Sequence, residues 1–295
     1  LKAVSAIDGQ AYFETSRKLV DRLLERYIPP PDREPSSLHQ AMRYSVMAGG
    51  KRLRPILALA AFEYCGGDMS TAEKTIYPAM AALEMVHTYS LIHDDLPCMD
   101  DDDLRRGIPT CHKKFGEAIA VLAGDALHVV AFELMARTGN TQVVSELAEA
   151  VGTSGMLGGQ VADIEAEGRP VNRQDVVNIH TRKTGALIRG AVRIGALLAG
   201  ADRDTLKRLT EYGENVGLAF QIIDDILDIE GDQEILGKKV GADSKKQKAT
   251  FPGAVGLKQA RDEAAELIDR ALDAFKDDDD NALQFIARYI GQREN

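Results

Sequence analysis

Strand-like alternation of apolar and polar residues is almost missing from this chain, and spacings of three and four take its place. Tyr12, Phe13, Leu19, Val20, Leu23, Leu24 and Tyr27 fall on one face of a helix. Similar patterns predict helices near 38–50, 55–64, 72–92, 117–136, 141–157, 173–199, 203–230, 258–275 and 282–290. Pro29, Pro30, Pro31 and Pro35 break the first segment from the second, which ends at Gly49-Gly50. Pro55 sits where a first helical turn tolerates it. Gly66-Gly67 and Gly168-Arg169-Pro170 read as turns, and no βαβ rhythm or repeat is visible. The pattern predicts an all-α fold with residues 1–295 in a single domain. Apolar residues make up 44% of the chain and tryptophan is absent, so the core must rest on Leu, Ile, Val, Ala and Met.

A net charge of −10 argues against nonspecific nucleic-acid binding, which needs a basic surface. Cys65, Cys98 and Cys111 form no CxxC or zinc-finger spacing, which favours a reducing, cytoplasmic setting. No apolar run approaches the ~18 residues of a membrane span. No signal peptide is visible at the start. Neither a membrane span nor a nucleic-acid partner is therefore expected.

Two aspartate clusters stand 130 residues apart, Asp94-Asp95-Leu96-Pro97-Cys98-Met99-Asp100 and Asp224-Asp225-Ile226-Leu227-Asp228, each after an apolar, helix-like stretch. On a helix Asp224 and Asp228 share a face, and Asp225 lies about 100° round, so all three can point into one cleft. Magnesium takes hard oxygen ligands and is often completed by substrate phosphates. The competing interpretation is a solvated acidic face, as Asp277-Asp278-Asp279-Asp280 illustrates: it lies between Lys276 and Asn281 and reads as a loop. The second cluster differs, because Phe220, Ile222, Ile223, Ile226, Leu227 and Ile229 surround it, and burying three aspartates without a counter-ion is costly. In the first cluster Pro97 disfavours a continuous helix. Asp94 and Asp95 are read as ending a helix, with Asp100 brought back by the following turn. An EF-hand calcium loop counted from Asp100 needs Gly at its sixth position, where Arg105 stands.

Basic residues recur beside glycine turns and beside these clusters. Gly49-Gly50-Lys51-Arg52-Leu53-Arg54-Pro55 places cations before a helix start, where anions are favoured. Arg105-Arg106, Lys183-Thr184-Gly185 and Lys238-Lys239 add more. Singly, each is most often an ordinary surface charge; together they favour two phosphate sites, one bridged by metal and one held directly by Arg and Lys. His87 lies two turns before Asp94, near the same face. A lone histidine there is usually structural, but phosphate-binding neighbours make it a candidate substrate contact. His93 is read as structural.

Taken in order, GGKRLRP at 49–55, SLIHDDLPCMDDDDLRRG at 90–107, GGQVAD at 158–163, KTGALIR at 183–189, FQIIDDILD at 220–228, GKKVGAD at 237–243 and KATFP at 248–252 resemble the trans-isoprenyl diphosphate synthases. The resemblance implies an antiparallel multi-helix bundle around a deep central cavity, in a homodimer. It implies a magnesium-dependent prenyltransferase that condenses isopentenyl diphosphate with an allylic diphosphate, with three magnesium ions when that substrate is bound. Implied metal ligands are Asp94, Asp95, Asp100, Asp224, Asp225 and Asp228. Gly50, Lys51, Arg54, His87 and Arg106 match positions that hold isopentenyl diphosphate. Arg105, Lys183, Thr184, Gln221, Lys238 and Lys248 match the allylic side. Asp94, Asp95, Asp100, Arg105, Lys183, Asp224 and Lys238 form the implied catalytic set. No protein nucleophile is needed, since cations and magnesium stabilise the leaving diphosphate.

Tyr89 and Ser90, five and four residues before Asp94, resemble the positions that set product length. An aromatic there, with the two-residue insertion in the first motif, resembles bacterial-type farnesyl diphosphate synthases. On a helical wheel, however, Tyr89 lies about 140° from Asp94, and Ser90 is closer. A geranylgeranyl product is the main alternative. His93-Asp94 also supplies the pair of an HD-type phosphohydrolase, but His39, His87, His112, His128 and His180 form no evident metal set. A terpene cyclase would carry a different second motif, and a non-catalytic partner subunit tends to lose one acidic motif.

Overall fold

Helix starts in this chain are marked by short polar side chains. Asp8 accepts a hydrogen bond from the Ala11 amide at the start of α1 (Gly9–Tyr27). Asn172 and Asn281 form reciprocal capping boxes with Asp175 and Gln284, at the starts of α9 (Arg173–His180) and α14 (Ala282–Gly291). Each such cap satisfies backbone donors that would otherwise lack partners. The computed structural model describes residues 8–230 and 248–293. Lys238 and Lys239, with the rest of GKKVGAD, lie outside the described residues.

The remaining helices are α2 (Ser36–Val46), α3 (Leu53–Tyr64), α4 (Ile76–Asp94), α5 (Cys111–Phe115), α6 (Glu117–Arg137), α7 (Thr141–Val151), α8 (Met156–Ala166), α10 (Ala186–Leu198), α11 (Arg203–Glu230), α12 (Phe251–Val255) and α13 (Leu257–Asp273). Helices α3 and α4 are apolar on nearly all sides and buried along most of their length. A helix of that kind belongs at the centre of a bundle. Accordingly α4 packs on α3 and α6, and α10 on α3, α7 and α11, while α13 covers α11. The described apolar residues share one core, in which Leu57, Met80, Leu83, Ile188 and Tyr212 are fully buried. The all-α expectation holds.

Several local details differ from the sequence reading. The helix expected over 141–157 ends at Val151, because a turn over Gly152–Gly155 intervenes, and a new helix begins at Met156. Glycines hid α8 from pattern reading. One of them, Gly159, is required by packing: a Cβ there would lie 2.1 Å from the Lys183 backbone nitrogen. The segment expected as one helix over 173–199 contains a π-helical turn at Thr181–Gly185. A two-stranded hairpin, β1 (Leu104–Arg105) with β2 (Ile108–Pro109), was not anticipated. Its two turn residues, Arg106 and Gly107, have φ of 53° and 78°, the left-handed values a tight hairpin demands.

One expectation needs correction. Helix α6, 21 residues long, is apolar enough by length and composition to cross a membrane. Glu117, Asp125 and Glu133 interrupt its apolar residues and obscured the run. It packs against α4, α2 and α5, and about 39% of its most apolar stretch is buried.

Candidate active site

The carboxyl end of α4 and the carboxyl-terminal part of α11 face a cavity of about 510 Å³. Asp94 and Asp224 line it from the two helices, with Lys183, Thr184 and Gln221 between them and Arg54 and His87 beside them. Leu96, Met99, Val121, Met156, Leu157 and Phe220 supply apolar wall. As the sequence predicts, α4 stops at Asp94, and the chain then turns so that the Asp100 amide donates to the Asp94 carbonyl at 2.8 Å. Acidic side chains thus gather at the end of a helix whose own dipole is negative. Burial pushes the Asp94 carboxyl up to about 6; Lys183 opposes the shift and Asp100 adds to it. A carboxylate this strained in ionising favours a cation close by.

Part of that cationic charge comes from the protein. Lys183 Nζ donates to Asp163 at 2.6 Å, and Lys248 Nζ reaches Asp100 at 2.7 Å and Asp163 at 3.8 Å. The π-helical turn brings Lys183 and Thr184 to the cavity; such single-turn bulges recur at functional sites. Arg105 holds Asp95 through Nε at 2.9 Å and also through Nη2. Asp95 is buried behind the cavity wall, and burial raises its pKa more than this pairing lowers it.

The second motif is more divided than its helical wheel implies. Asp224 faces the cavity and accepts from Arg293 Nη2 at 2.8 Å, while the Arg293 guanidinium rests 4.7 Å over the Phe220 ring. Asp225 is turned away and fully engaged. It contacts His180 Nε2 at 2.8 Å, and accepts from Gln221 Nε2 at 3.0 Å and the Phe251 amide at 2.8 Å. Gln221 in turn accepts from the Thr184 hydroxyl at 2.6 Å. Asp228 is buried. Among the described residues no three Asp, Glu, His or Cys side chains converge into a ready-made metal cage. The donors instead sit on facing walls, an arrangement suited to cations completed by phosphate oxygens.

Beside this acidic wall lies a basic corner. Arg54, at the start of α3, has a buried Nε without a hydrogen-bond partner, and burial pulls its pKa down to about 10. Arg106 holds the Gly49 carbonyl through Nη1. A Cβ on Gly50 would lie 2.6 Å from the Arg106 guanidinium carbon, so glycine is what allows this approach. Burial first, then Arg54 and Arg106, keep the His87 pKa well below its usual value. Lys51 is exposed at the rim of the loop. Neighbouring Arg52 faces the other way: Nη1 donates to Glu84 at 2.8 Å, Nε to Asp21 at 2.9 Å and Nη2 to the Val46 carbonyl at 2.9 Å.

Tyr89 and Ser90 both line the cavity. Tyr89 sits about 7.5 Å along α4 from Asp94 at 1.5 Å per residue. The wheel angle counted against it, but the cavity wraps round α4 far enough to include both faces. Sequence reasoning missed Asp163 as an individual residue, although its GGQVAD motif had been noted. It also missed Arg293 and gave His180 no role in the site. Nothing in the local sequence marks Arg293, whose partner lies 69 residues away.

Residues 35–290 match the family model for polyprenyl synthetase. The chain is 47% identical to the farnesyl diphosphate synthase of Escherichia coli (strain K12), over 97% of this chain and 99% of that protein. It is 45% identical to the large subunit 1 of the heterodimeric chloroplastic geranylgeranyl pyrophosphate synthase of Arabidopsis thaliana, over 99% of this chain and 81% of that protein. Among solved structures, a geranyltransferase from Helicobacter pylori, complexed with magnesium and isoprenyl diphosphate, aligns with a TM-score of 0.83 and 32% identity, covering 97% of each chain. A cavity with aspartates on facing helices, a basic corner and an apolar wall, matched along nearly its whole length by such proteins, makes this chain a prenyltransferase of the polyprenyl synthetase family.

Proposed function

We propose that the protein condenses isopentenyl diphosphate head to tail with dimethylallyl and then geranyl diphosphate, releasing diphosphate and ending at (2E,6E)-farnesyl diphosphate. The observation that carries this reading is the division of one cavity into an acidic wall and a basic corner. Asp94 and Asp224 on the facing helices, with Asp100 at the turn, are the residues we assign to magnesium, three ions with allylic diphosphate bound. Asp95, Asp225 and Asp228 complete the two motifs; Asp95 and Asp225 act by fixing Arg105, Gln221 and His180. Bound magnesium neutralises the allylic diphosphate and stabilises it as leaving group.

Lys183, Thr184, Gln221, Arg105 and Lys248 orient that diphosphate and share its developing charge as the C–O bond breaks; Lys238 joins this set by position in its motif. Arg54, His87, Arg106 and Lys51 hold isopentenyl diphosphate against the Gly49-Gly50 loop, so that its double bond faces the allylic carbon. The electrons of that double bond form the new C–C bond and leave a tertiary cation, and loss of a proton from the carbon beside the cation to the released diphosphate restores a double bond. The apolar wall excludes water from the cation.

Tyr89, beneath Asp94, supports a fifteen-carbon product. Geranylgeranyl diphosphate is the second reading, favoured by relatives of that name at similar identity. We further read residues 1–295 as a single domain, since the described helices share one core. A homodimer is supported by the apolar face that α6 leaves exposed at Leu122 and Val129. Three free thiols suit the cytoplasm. The deciding experiment is incubation with magnesium, isopentenyl diphosphate and dimethylallyl or geranyl diphosphate, followed by chromatography of the products. A C15 product from either starter is expected; no condensation from both would return the chain to the partner-subunit reading.

A further inference from the structure

The cavity end at Tyr89 is two rings deep. The Tyr89 ring lies flat on the His128 imidazole of α6, with centroids 4.6 Å apart and planes 8° from parallel. The His93 ring meets Tyr89 edge-on at 5.7 Å, and Phe132 supports His128 at 5.2 Å. Tyr89 lines the cavity, whereas His128 stands behind it, half-buried. The Tyr89 hydroxyl is buried and has no hydrogen-bond partner. No polar anchor therefore fixes the tyrosine, and its orientation depends on ring packing. A stacked aromatic pair stabilises its geometry beyond simple burial, which favours one rotamer over another.

We propose that His128 is a positioning residue for product length: its imidazole holds the Tyr89 ring across the growing chain, so that the floor is a pair spanning α4 and α6. The inference rests on the prenyltransferase reading and on Tyr89 as floor. Burial lowers the His128 pKa, which suits a neutral ring against the tyrosine face. Removing the imidazole opens a space one ring thick behind Tyr89, into which the phenol can swing. Removing Tyr89 alone leaves His128 as the next barrier.

The test compares the products of wild type, Tyr89→Ala, His128→Ala, His128→Phe and the double alanine variant, with dimethylallyl diphosphate as starter. His128→Ala is expected to raise the C20 share at least severalfold, and His128→Phe to restore the wild-type distribution. The double variant should give longer products than either single change. Initial condensation to C10 should keep its wild-type rate in His128→Ala, which also reports intact folding. Lengthening in Tyr89→Ala with no change in His128→Ala overturns the inference and leaves the floor reading standing. No lengthening in either Tyr89→Ala or the double variant overturns both, and a wild-type product other than C15 overturns the farnesyl reading alone.

Discussion

The acidic wall and the basic corner of the cavity hold their charge in opposite ways. On the acidic wall nearly every carboxylate has a cation from the protein: Asp95 has Arg105, Asp100 has Lys248, Asp163 has Lys183 and Asp224 has Arg293. In the corner, Arg54, Arg106 and His87 crowd together, and the nearby Glu84 carboxylate is committed to Arg52. The wall is thus partly neutralised, with Asp94 opposed only by the nearby charge of Lys183, and can exchange one cation for another. The corner carries an excess of positive potential that an incoming anion relieves. An acidic protein can accept two diphosphates in one cavity because the balance is local and not global.

The comparison is broken most decisively at the wall. Asp94→Ala and Asp224→Ala should each lower turnover by about 10²–10³ or more, the scale of losing a principal electrostatic contact, with circular dichroism unchanged. Near-normal magnesium-dependent turnover in either would remove that carboxylate from the chemistry. Next in size is the support of the corner. Glu84→Ala removes the buried carboxylate from Arg52, which keeps only half-exposed Asp21 and the Val46 carbonyl, and should cost up to about 3–5 kcal/mol of stability by denaturant unfolding; an unchanged midpoint would mean that the loop does not depend on this ion pair.

Arg54→Ala should then separate the two halves kinetically. It removes a charged hydrogen bond of about 1.5–3 kcal/mol, which raises the KM for isopentenyl diphosphate roughly ten- to a hundredfold, while the allylic KM stays within about twofold. Equal rises in both would merge the corner with the wall. The smallest effect concerns protons. His87 has a folded pKa below its unfolded value of about 6.5. The unfolded chain therefore binds the extra proton first, and stability declines as pH falls below about 6.5. His87→Asn should flatten that acid limb, measured as the midpoint between pH 7 and 5. An unaltered slope would show that burial and the neighbouring arginines do not hold His87 neutral.

Much of this was legible before any coordinates. The stop of α4 at Asp94 and the return of Asp100 follow from Pro97 and were read correctly. The loop character of Asp277–Asp280 was also legible: it lies between helices, with partners such as Arg208 and Arg288. Helix α8 was not, because Gly158 and Gly159 are poor helix formers in isolation and are needed for close packing, Gly158 on the Thr153 backbone and Gly159 on the Lys183 backbone. The π-helical turn at Thr181–Gly185 leaves the apolar period nearly intact, so pattern counting passes over it. The hairpin behind Arg105 has only two residues per strand, too few to show an alternation.

By itself the sequence determined the helices, the two acidic motifs and the basic motifs beside them, since each depends on residues near in the chain and on a fixed helical period. Only the tertiary structure decided which members of those motifs face the cavity. The period fixes the angle between Asp224 and Asp225 but not what packs on each face, and His180, Gln221 and the Phe251 amide claim Asp225. Pairings such as Lys248 with Asp100, Arg293 with Asp224 and His128 with Tyr89 join different elements. Such contacts are set by how whole helices pack, which is a property of the complete core and not of any local stretch.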